Sequence, residues 1–74
     1  MIDLIVGNLY LSDSCTVWNT TSVQSPGMVI DHLVYDERIV LLGVQDEEFK
    51  VLTPRGKVGW IAPRGDGRCR LRAP

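Results

Sequence analysis

The chain has 74 residues, enough for one domain and one core. Its hydrophobic fraction of 45% excludes a disordered chain, and its longest apolar stretch, residues 39–44 interrupted by Gly43, falls far short of the ~20 residues of a membrane helix. A formal net charge of −1 hides an asymmetry: residues 1–49 carry eight acids and the single base Arg38, whereas residues 50–74 carry seven bases and the single acid Asp66.

Met1-Ile2-Asp3-Leu4 places an acid where a signal peptide carries Lys or Arg, so a soluble, cytoplasmic protein is expected. In that setting Cys15 and Cys69 are expected as free thiols; a disulfide between them would instead staple the two ends of the domain. The charge asymmetry allows two outcomes. The basic end is either a solvated tail or one pole of a surface that meets an acidic partner or a phosphate backbone. Asn19-Thr20-Thr21 fits a glycosylation sequon and Arg64-Gly65-Asp66 an adhesion tripeptide, both short enough to arise by chance.

In chain order, residues 2–11 are apolar and β-prone, which predicts a first strand with a bend at Gly7. Residues 12–27 are rich in Ser, Thr, Asn and Gln and predict a long loop carrying Val17 and Trp18, closed by a turn at Pro26-Gly27. Met28 to Tyr35 and Arg38 to Gln45 predict two strands of one hairpin around Asp36-Glu37. A helix over 28–42 is disfavoured by the β-branched residues and the polar interruption. Glu48 to Leu52 and Lys57 to Ile61 flank Thr53-Pro54-Arg55-Gly56, a turn with Pro and Gly at suitable positions. Phe49 and Val51 alternate with Lys50, and Val58 and Trp60 alternate with Lys57 and Gly59, the period of a half-buried ribbon. Gly59 is expected to let the backbone bend before Trp60. Leu71 could end a short last strand; otherwise residues 64–74 are a basic tail. Four or five short strands without a helix predict an all-β domain over residues 1–63, curled to protect its edges.

The second half carries a more specific pattern. Glu48-Phe49-Lys50-Val51, followed by Gly56-Lys57-Val58-Gly59-Trp60-Ile61, resembles the closing strands of SH3-like barrels, particularly the bacterial SH3 type. The resemblance is best over residues 28–61 and only topological over 2–27. It implies a small five-stranded SH3-like barrel with a long loop after the first strand, acting as an interaction module. The chain departs from the pattern at Ala62-Pro63-Arg64-Gly65, where a Tyr-Leu ending is usual, and no Trp opens the third strand. Recognition of PxxP peptides therefore does not carry over, and fold alone does not set function.

Chemistry-bearing clusters are sparse. Cys15, His32 and Asp31 or Asp36 supply the residue types of a nucleophilic triad without any surrounding signature. One histidine and two distant cysteines do not make a metal site. Gly56-Lys57 is followed by Val58, not Ser or Thr, so no phosphate loop is present, and Gly65-Asp66-Gly67 lacks a surrounding βαβ unit. The chain is therefore expected to be no enzyme and to hold no cofactor or metal. Trp18 reads either as a lid over an open barrel end or as a contact residue, and Trp60 as core or barrel wall. With Tyr10, Tyr35, Arg55 and Lys57 they form the candidate partner-binding set. The expected function is a protein-binding or regulatory module. One alternative is a nucleic-acid-binding barrel using Lys50, Arg55, Lys57, Arg64, Arg68, Arg70 and Arg72. Another is a structural or self-associating subunit, such as a homo-oligomer.

Overall fold

The computed structural model describes residues 4–21, 27–62 and 69–74. Those residues form an all-β domain of seven strands: β1 (Leu9–Ser12), β2 (Cys15–Trp18), β3 (Val29–Leu33), β4 (Glu37–Gln45), β5 (Glu48–Leu52), β6 (Val58–Ile61) and β7 (Leu71–Arg72). All pairs are antiparallel, in the order β3-β2-β6-β5-β4-β1-β7. Among the described residues no helix is long and apolar enough to cross a membrane.

The sheet is open, with β3 and β7 as its edges, yet it cannot be flat. β1 and β2 stand four places apart in the order, roughly 19 Å in a flat sheet at about 4.8 Å per strand. Only Asp13 and Ser14 join them, a span of at most about 11 Å. β3 and β4 are also four places apart, with only residues 34–36 between them. Both connections force the sheet to curl around its core. Tyr10, Cys15, Val17, Leu33, Ile39, Leu41, Val51 and Ile61 fill the concave side.

The most locally encoded element is the β5–β6 hairpin, which has the expected turn. The Thr53 N–H donates to the Lys57 carbonyl at 2.8 Å, and Gly56 takes a φ of 79°, where a residue without Cβ is unstrained. The bend at Gly7 also appears, with a φ of 95° and its N–H bonded to the Leu41 carbonyl. The strand proper begins only at Leu9. A short last strand is present against β1, but Leu71 opens it and Arg72 ends it.

Several expectations are corrected. The segment 12–27 is not all loop, because β2 lies within it and places Trp18 on a strand, not over a barrel end. β3 and β4 are both strands, but they are not a hairpin: β3 pairs with β2, and β4 with β1 and β5. At the junction Asp36 takes a φ of 68°, and its N–H donates to the Ser12 carbonyl, so the chain passes from one end of the sheet to the other. β4 instead forms its hairpin with β5, through Asp46 and Glu47, both in left-handed conformation as a two-residue turn requires. Gly59 stands at a close approach between strands. A Cβ there would lie 2.6 Å from Val17 Cγ1, 2.7 Å from Ile30 Cδ1 and 2.7 Å from the Trp18 carbonyl, so glycine permits close packing of β2 and β3 on β6. Finally, Cys15 and Cys69 are not free thiols. The fold brings their Cα atoms to 5.2 Å and they form a disulfide, which ties the residues leading into β7 to β2.

Candidate functional site

Alternation sets the two sides of each strand. With Tyr10, Val17, Leu41, Val51 and Ile61 facing the core, Leu9, Trp18, Val40, Lys50, Leu52, Val58 and Trp60 fall on the convex side. Register then aligns them in two rows. Leu9 pairs with Val40, Val40 with Leu52, and Leu52 with Val58. In the next row Gly43 pairs with Lys50, Lys50 with Trp60, Trp60 with Trp18, and Trp18 with Val29. The tryptophans therefore stand on neighbouring strands of one surface. Trp60 is half-buried and Trp18 remains 40% exposed, with Val58 at 47% and Val29 at 54% beside them. The Trp18 ring is backed by Gly27, and Asn19 fixes the chain there by accepting the Met28 N–H at its Oδ1, 2.8 Å away.

Beyond Trp18 the surface dips into a pocket of about 390 Å³, lined by Ser14, Thr16, Trp18, His32, Ala62 and the Cys15–Cys69 disulfide. Trp18, Ala62 and the disulfide give apolar walls. Ser14, Thr16 and His32 give polar groups, with Thr16 Oγ1 3.4 Å from His32 Nδ1. The volume lies in the range of small-ligand clefts, about 300–1,000 Å³.

The remaining candidate residues are placed elsewhere. Tyr10 is a core residue, only 5% exposed, and its hydroxyl accepts the Ile5 N–H; it offers no surface to a partner. Tyr35 is 64% exposed, away from the tryptophan row, with the Arg72 guanidinium 4.5 Å from its ring centroid. Lys57 is exposed at the β5–β6 turn.

Arg55 is held internally. Its Nε donates to Asp31 at 2.8 and 3.0 Å, its Nη atoms to Glu37 at 2.8 and 3.0 Å, and Nη2 also to the His32 carbonyl at 2.9 Å. The clamp joins the β5–β6 turn to β3 and to the start of β4, and covers part of the β3 edge. Burial raises the Asp31 pKa, but hydrogen bonds from Thr53 and Arg55 outweigh it and hold the carboxyl below its usual range. The Arg55 hydrogen bond does the same for Glu37, aided by the Val34 N–H. Glu37 and then Asp31 raise the Arg55 guanidinium in turn. Arg72 is bound in a second seam, to Asp36 at 2.7 Å and Asp13 at 3.3 Å.

The charge asymmetry of the sequence is thus partly cancelled within the fold. Of the seven cations considered for nucleic acid, Arg55 and Arg72 are paired with carboxylates, Lys50, Lys57 and Arg70 are exposed, and Arg64 and Arg68 lie outside the described residues, as does the Arg64-Gly65-Asp66 tripeptide. The residues weighed as a triad are also engaged separately: Cys15 in the disulfide, Asp31 with Arg55, and His32 beside Thr16. Sequence reasoning missed Lys50 as the neighbour of Trp60, and missed the pocket. The alternation of 48–52 and 58–61 contained the first signal, but only register places Lys50 opposite Trp60.

Comparison with protein-family models, with curated proteins and with solved structures finds no match to this chain.

Proposed function

We propose that this chain is a non-catalytic protein-binding module, built on a small SH3-like variant of the curled sheet, and that it binds through its convex face. The observation that carries this reading is the cross-strand pair Trp18–Trp60, outside the core and bordered by exposed Val29 and Val58. Tryptophan is among the residues enriched at interface hot spots, and adjacent apolar side chains exclude water from such anchors. The all-β curled sheet and the hairpin at Pro54–Gly56 support the SH3-like reading. The disulfide favours an oxidising compartment over the cytoplasm.

The test is recovery of bound proteins from a nuclease-treated extract of the source cells on immobilised wild type and on Trp18→Ala. Species held by the wild type and released by Trp18→Ala are expected. Binding that survives Trp18→Ala, or that disappears with nuclease treatment, overturns the reading.

A further inference from the structure

We infer that the convex face takes an extended peptide segment whose carboxylate sits over Lys50 and whose apolar side chain, three or four residues away, enters the Cys15–Cys69 pocket. The inference rests on the protein-binding reading above and adds the chemistry of the partner.

Charge complementarity supplies the first half. The chain is net acidic, but the row of Lys50, Trp60 and Trp18 contains no carboxylate. Asp31 and Glu37 are bound to Arg55, and Asp13 and Asp36 to Arg72. Asp46 and Glu47 form the β4–β5 turn. Glu48, two positions from Lys50 on β5, is only 2% exposed. Exposed Lys50 thus stands beside Trp60 in a row whose other members are Gly43, Trp18 and Val29. Lys50 has no ion partner among the described residues, and such a cation at an apolar surface discriminates for an anionic group and against a cationic one.

The pocket supplies the second half. Thr16, in its lining, lies two residues along β2 from Trp18, and Trp18 lies two strands across from Lys50. Two strand spacings and two residue rises combine to about 12 Å. An extended peptide covers that distance in three or four residues. Walls formed by Trp18, Ala62 and the disulfide suit an apolar side chain, and Ser14, Thr16 and His32 offer polar groups to the peptide backbone.

Protein is favoured over single-stranded nucleic acid by what surrounds the tryptophans. Leu9, Val40, Leu52 and Val58 make the neighbouring row aliphatic, whereas a nucleic-acid groove couples its stacking platform to a run of cations.

The experiment is selection of a displayed random dodecapeptide library on the immobilised full chain with its disulfide intact, in parallel with binding of labelled oligothymidylate at low and high salt. Enriched peptides are expected to carry Asp or Glu three or four positions from a large apolar residue. Lys50→Glu should weaken one such peptide about tenfold or more, and reselection on that variant should replace the acid by Lys or Arg. If enrichment depends on Trp18 but shows no acid at fixed spacing, or if Lys50→Glu selects the same peptides, the inference fails and the protein-binding reading stands. If enriched peptides ignore Trp18→Ala, or if oligothymidylate binds with steep salt dependence and no peptide is enriched, both fail. Lys50 is exposed, so Lys50→Glu keeps the test decisive should Trp18→Ala not fold.

Discussion

Two regions of this molecule carry exposed charge and aromatic surface, and they use it differently. Along the seams, Arg55 and Arg72 each hold two carboxylates, and Arg72 also covers Tyr35. On the convex face, Lys50, Trp18 and Trp60 stand in one row, and neither tryptophan belongs to the core. The seams join distant parts of a curled sheet. Removal of the face should cost the fold little. Counting charges in the sequence treats Arg55 and Lys50 alike; only the fold separates the cation paired with two carboxylates from the cation exposed beside Trp60.

Substitutions can sharpen that contrast. The largest effect is expected from the disulfide, which ties the residues before β7 to β2 beside the pocket. With a sequence separation of 54, loop-closure entropy predicts a loss of about 4 kcal/mol for a Cys15→Ser, Cys69→Ser double variant, measurable by urea unfolding. A loss below about 1 kcal/mol would show that the seams and core suffice without it. Next is Gly59→Ala, whose Cβ meets Val17, Ile30 and the Trp18 carbonyl; overpacking of this kind costs about 1–3 kcal/mol, and thermal unfolding should register it.

A pH titration isolates the Arg55 seam. Asp31 and Glu37 have lowered carboxyl pKa values, so their contribution is present above the ordinary carboxylate range. It is lost as pH falls below 4.5, the ordinary glutamate value, and through the lowered folded-state values. Stability of the wild type should decline over that interval, and Arg55→Ala should be less stable at pH 7 with a shallower decline. Parallel acid curves for the two proteins would mean that the seam does not bear on stability. The smallest effect is expected on the face. Lys50→Glu should change unfolding free energy by no more than about 0.5 kcal/mol, and Trp18→Ala by about 1 kcal/mol, while both alter binding. A large destabilisation by either would move the face into the structural class.

Legibility in the sequence followed the range of the interaction. The β5–β6 hairpin was readable because its turn, its alternation and its partner strands lie within 48–61. β3 and β4 were readable as strands but not as partners of others, since pairing with β2 and β1 is decided by how the whole sheet curls. β2 was hidden in a polar segment, where four residues give too short a pattern to register. Of the site, Trp18 and Trp60 were named from residue type alone. Their adjacency, the position of Lys50 and the pocket all required register across three strands. Tyr10 and Arg55 were named by the same reasoning and lie in the core and in a seam, because residue type does not report what a side chain already touches.

The bond between Cys15 and Cys69 also changes the covalent topology of the chain. It turns residues 15–69 into a ring with two short tails. A single cut by a protease within the ring, for instance in the connection between β2 and β3, leaves one molecule of unchanged mass apart from one added water. Such a nick is invisible on a non-reducing gel and splits into two fragments under reduction. The two lanes together therefore distinguish cleavage inside the ring from loss of a tail.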